Sequence, residues 1–132
     1  MSSATHLPIY LQLEIDQKWR QPHAISDFLE EFHPNVVETY TEIVEATDGV
    51  VWWEIQLFIH QRLMTPNLTG TELLALAFLM LTHGNDSLTF EIDSLVQKRF
   101  DDAIKQAYTE WDSYLEPVYQ KAARSLLLRK KV

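Results

Sequence analysis

With 132 residues, 46% of them hydrophobic and 23% charged, the chain is long enough for one self-sufficient core and too apolar for wholesale disorder. It contains no cysteine, which excludes disulfides, thiolate metal sites, iron–sulfur clusters and cysteine nucleophiles together, and its three glycines are too few and too scattered for a phosphate-cradling loop. The formal charge of −8 is unevenly spread: residues 1–60 hold ten acids against Lys18 and Arg20, whereas residues 124–132, RSLLLRKKV, hold four bases and no acid.

An acidic body repels nucleic-acid phosphate, so such contact is expected only through the basic tail, at Arg124, Arg129, Lys130 and Lys131. A solvated helix end whose cations complement the helix dipole is the simpler account of that tail. The N-terminus, MSSATHLPIY, lacks a basic segment followed by an apolar one, so no secretory signal is read there. The longest apolar run, LLALAFLML at 73–81, is too short to span a bilayer. A cytoplasmic protein with no membrane span is the expectation.

Residues 11–16, LQLEID, carry two periods at once. Ile9, Leu11, Leu13 and Ile15 alternate with polar or amphipathic residues, as in a strand, while Leu7, Leu11, Ile15 and Trp19 are spaced by four, as on a helix. The similar stretch LTFEID at 88–93 has the same ambiguity, with Leu88, Phe90 and Ile92 against Leu88, Ile92, Val96 and Phe100. The strand reading pairs residues 9–15 with 88–92 as a two-stranded ribbon against the helices; the alternative is an all-α fold. An offset of 77 residues fits no repeat period, so the recurrence is taken as amphipathic patterning rather than duplication.

From residue 24 onward the helical period dominates. AISDFLEEF at 24–32 offers Ser26 as a cap and ends at His33-Pro34, since the residue before proline avoids helical geometry. Asn35 then opens a helix whose Val36, Val37, Tyr40, Ile43 and Val44 gather on one side, with Glu38, Glu42 and Glu45 on the other. The segment 50–64 has no clean polar face: Val51, Ile55 and Phe58 form one line, Trp52, Ile55, Ile59 and Leu63 a second, and Trp53, Leu57, His60 and Met64 a third. After the turn TPNLTG, Thr69 and Glu72 form a capping box for an apolar helix over about 71–83. GNDS at 84–87 is a turn, and Ser94 with Gln97 then begins a long amphipathic helix that Pro117 is expected to kink or restart. The fold class is mainly α, a single domain over 1–132 with five or six helices and, on the strand reading, the small ribbon.

Chemistry-bearing motifs are sparse. Walker-A, Rossmann, G-x-S-x-G and H-E-x-x-H patterns are absent. Glu30 and His33 have the Glu-x-x-His spacing of di-iron bundles, but those sites need a second such motif and this chain has none. A carboxylate enzyme using Glu14, Asp16, Glu91, Asp93 or His33 is kept as a remote alternative, because these acids fall on the polar side of either pattern. The leading expectation is a non-enzymatic interaction module without cofactor or metal: an inhibitor, immunity-type protein, adaptor or assembly factor. Glu38, Glu42 and Glu45 supply the charge that meets a basic partner surface, with Trp52 or Trp53 as apolar anchor. Adjacent helix positions point about 100° apart, so both tryptophans do not readily face one core. The runner-up is an obligate homo-oligomeric subunit packed through helix 50–64.

Overall fold

The computed structural model describes residues 7–130, with side chains through Leu126. Six helices follow in order: α1 (Ile9–Trp19), α2 (Pro22–Phe32), α3 (Val37–Ala46), α4 (Trp52–Leu63), α5 (Gly70–Thr82) and α6 (Ser94–Lys130). The centre is α5. Its sequence is apolar on every side, and Leu73 and the seven residues Ala75–Leu81 are all buried. It packs against α6 and α3, with α2 alongside. A helix without a polar face has only one stable place, between others. Each large side chain it removes from water stabilises the fold by about 1.5–3 kcal/mol.

Local chemistry sets the helix ends. Thr69 accepts a hydrogen bond from the Glu72 backbone N–H (3.1 Å), the cap expected from the sequence. At the other end of α5, Gly84 N–H donates to the Leu81 carbonyl (2.9 Å) and Asn85 N–H to the Met80 carbonyl (3.0 Å). This is a Schellman closure, and Gly84 supplies the left-handed residue it requires, at φ +69°. Three other ends differ from expectation. Pro22 opens α2 from the extended Gln21, which puts Ser26 inside the helix rather than at its cap. Asn35 lies before α3 and donates to Thr71 instead (3.3 Å). At the start of α6 the capping oxygen belongs to Asp93, which accepts from the N–H groups of Leu95 and Val96 (3.0 and 3.4 Å).

The expected ribbon is absent: no strand occurs among the described residues. Residues 9–15 lie in α1, where the four-residue spacing prevails. Pro8 starts that helix, and Leu11, Ile15 and Trp19 pack on the core behind buried Leu7. With one partner strand coiled into a helix, 88–92 has no ladder to join. At Thr89 a side chain supplies the acceptor instead, the buried Gln56, whose Oε1 accepts from both the N–H and the hydroxyl of Thr89 (3.0 Å each). Pro117 also fails to divide the last helix, since α6 runs through it as one element of 37 residues, about 55 Å long.

Candidate interaction site

On α3, burial of Tyr40, Ile43 and the following Thr47 turns the opposite face outward. The Tyr40 hydroxyl bonds to Thr82 (2.6 Å), and because Thr82 itself donates to the Phe78 carbonyl (2.9 Å), Tyr40 is the donor. Burial pushes the Tyr40 phenol up to about 12, so it keeps that proton across working pH. Glu38, Glu42 and Glu45 lie within about 60° on the outer face, all exposed. None of the three side chains makes a hydrogen bond or ion pair among the described residues.

On α4 the core takes Ile55, Gln56, Ile59 and Leu63, which settles which of the three apolar lines faces inward. The line through Trp53, Leu57, His60 and Met64 faces outward. Trp53 is 58% exposed, Leu57 36% and Met64 56%, while His60 is half-buried against the Phe90 ring (6.1 Å between centroids). The two tryptophans separate as the 100° rule requires: Trp52 is half-buried and tilts onto the His83 ring at 5.4 Å. Burial lowers His83 below its ordinary 6.5, so near neutral pH it meets Trp52 as an uncharged ring.

The remaining sequence candidates disperse. Glu14 and Glu91 are exposed, and Asp93 is spent as the α6 cap. His33 ties the end of α2 to α6, its Nε2 lying 2.9 and 3.0 Å from the two carboxylate oxygens of Glu110. Among the described residues no three His, Asp or Glu side chains are placed to hold a metal ion, and no helix is long and apolar enough to cross a membrane. Of the basic tail, Arg124 is exposed, while the Arg129 and Lys130 side chains and Lys131 lie outside the described residues.

Asp16 is the exception, and it belongs to a polar network that spacing within α1 alone does not reveal. A cleft of about 770 Å³ opens between α1 and α6, with Asp16 and Arg20 on one wall and Tyr108, Asp112, Glu116 and Tyr119 on the other. Asp16 accepts from Arg20 (2.9 Å) and from the Tyr119 hydroxyl (2.7 Å), and the Arg20 guanidinium lies over the Tyr108 ring at 5.2 Å. Burial, then the hydrogen bond to Asp16, holds Tyr119 far above its usual range, so it acts only as a donor. Asp112 faces this network without a hydrogen bond or ion pair of its own among the described residues. Burial, and then the charge of Asp16, raise its carboxyl above the ordinary 3.8.

That shift has a sign in stability. A carboxyl whose folded pKa is raised disfavours the fold once ionised, so the penalty grows as pH rises through the folded value and vanishes below the unfolded one. Asp112→Asn is therefore expected to melt higher than the parent at pH 7 and level with it below the ordinary carboxylate range. Thermal unfolding at both pH values measures the difference. No family model, curated protein or solved structure matches the chain.

Proposed function

We propose that the chain is a protein-binding module that docks a partner with a basic surface, in the manner of an inhibitor, adaptor or assembly factor. The observation that carries this is the exposed line Trp53, Leu57 and Met64 on α4: a row of large apolar side chains left in water on a helix that packs Ile55, Ile59 and Leu63 in the core. Exposed tryptophan is the residue type most enriched among binding hot spots. The unpaired glutamates of α3 lie within reach of the same partner. From Glu45 to Trp53 the chain spans at most about 28 Å even if extended, and a standard interface of about 800 Å² per side is a patch about 32 Å across. Acids at its rim speed association with a basic surface more than they tighten it.

A partner of opposite charge fits better than an α4–α4 pair of identical chains. A two-fold contact uses the same patch twice, and would bring the acidic neighbourhoods of both copies together. The test compares Trp53→Ala with the triple variant E38K/E42K/E45K in capture of the partner from the native host, followed by titration of the partner so found. Trp53→Ala is expected to weaken binding by about 2 kcal/mol or more, roughly thirtyfold, while folding stability moves by no more than about 0.5 kcal/mol. The triple variant should mainly slow association, and its deficit should shrink with added salt. Equal binding by parent and both variants sinks the reading.

A further inference from the structure

The α1–α6 cleft is a second surface, built from helices that carry neither the α3 glutamates nor the α4 line. Its two ends differ in character. Ile9 and Leu13, 73% and 63% exposed, stand two turns and one turn before Asp16 on the same face of α1, an apolar stretch of surface that leads up to the cleft without lining it. In the cleft, Arg20 is ion-paired to Asp16, and Asp112, exposed on the α6 wall, makes no hydrogen bond or ion pair among the described residues although the Arg20 charge also acts on it. An occupant must offer bulky aliphatic side chains beside a cation.

One segment of this chain has that composition. Residues 124–132, RSLLLRKKV, join three consecutive leucines to four bases, and no other part of the sequence places four bases together without an acid. Through Lys130 the backbone of this segment continues α6 and does not turn back into the groove of its own chain. α6 is continuous from Ser94 to Lys130, so residues 124–130 prolong the helix that forms the groove wall at 108–119, starting about 18 Å beyond Asp112 along it. A helix does not fold back on its own side. The donor must be another molecule.

We propose that the groove between α1 and α6 docks the basic C-terminal segment of a second copy of this chain, its leucines on Ile9 and Leu13 and a cation against Asp112. Reciprocal exchange gives a closed pair, and one-way exchange gives a growing chain. The contact joins opposite charges, unlike the α4–α4 pair. Neither surface depends on the other.

Light scattering and sedimentation of the full chain over a concentration series test this. Association is expected, weakening as salt rises from about 0.01 M to about 0.15 M and the screening length falls from about 30 Å to about 8 Å. Asp112→Lys, or the tail reversal R129E/K130E/K131E, should weaken it by about tenfold or more, and Leu13→Asp should do likewise. Trp53→Ala should leave it unchanged. Mixing the Asp112→Lys chain with the tail-reversed chain should restore association between the two, a rescue that mere misfolding would not give. A monomer at every concentration overturns the proposal, as does association indifferent to Asp112 and the tail, or association lost in Trp53→Ala.

Discussion

Replacing Trp111 by alanine is expected to cost about 3–5 kcal/mol of folding stability, the largest effect of any single truncation in the chain. Trp111 is the largest side chain fully removed from water, and it joins three layers. Its ring meets Phe28 of α2 nearly edge-on (5.5 Å, 84°) and Tyr114 of its own helix at 5.5 Å, while Phe28 continues the contact to Phe78 of α5 at 5.7 Å. Truncation leaves a cavity walled by aromatic rings that have no freedom to collapse into it. Against the 5–15 kcal/mol typical of a domain, that loss is a large share of the whole. Trp111 also buries an indole N–H with no partner among the described residues, which already costs stability. Trp111→Phe removes that donor and keeps a ring, so it should lose less than half as much. Urea unfolding of the three proteins gives both differences; equal losses for the two variants would refute the cavity argument.

The second large effect concerns how α1 is held. No side chain within α1 is fully buried, so Leu11, Ile15 and Trp19 grip the core only partly, and the Asp16 network supplies the rest. Tyr119→Phe deletes one hydroxyl donor to a carboxylate and is expected to cost about 1.5–3 kcal/mol, towards the lower figure because Asp16 keeps some contact with water. Asp16→Ala should cost more. It strands the Tyr119 hydroxyl and also the Arg20 guanidinium, whose Nε is already buried without a partner. The two changes together should cost less than their sum, since each removes the same bond. Hydrogen exchange adds a spatial readout: amides of 9–19 should open first in Asp16→Ala while those of α5 stay protected. Uniform loss of protection across all six helices would show that α1 is no separate unit.

The parts of this structure legible in the sequence are those decided by local pattern. The apolar run at 73–81 could only be a central helix, and Thr69 with Glu72 marked where it starts. α4 was legible as three apolar lines but not as to which line faces the core, because that depends on what lies opposite. The LQLEID and LTFEID stretches show the limit most clearly. Both periods are present in each, and a strand needs a partner whose own state is equally open. Once Pro8 and the Leu7–Leu11–Ile15–Trp19 row made the first a helix, the second had nothing to pair with. Pro117 does not restart the helix for a related reason: losing one N–H costs a helix one bond, and α6 continues because Leu115 and Tyr119, on either side, are both held in the core. The cleft was invisible for want of proximity. Asp16 and Tyr119 stand 103 residues apart, and no spacing rule joins them.

That separation has a consequence during synthesis. At about 5–20 residues per second, roughly 5–20 s pass between the making of Asp16 and the making of Tyr119. Throughout that interval the core on which Leu7, Leu11, Ile15 and Trp19 pack lacks what α6 supplies to it, including Trp111, Leu115 and Tyr119, and the nascent chain carries an amphipathic segment whose apolar side is incompletely covered.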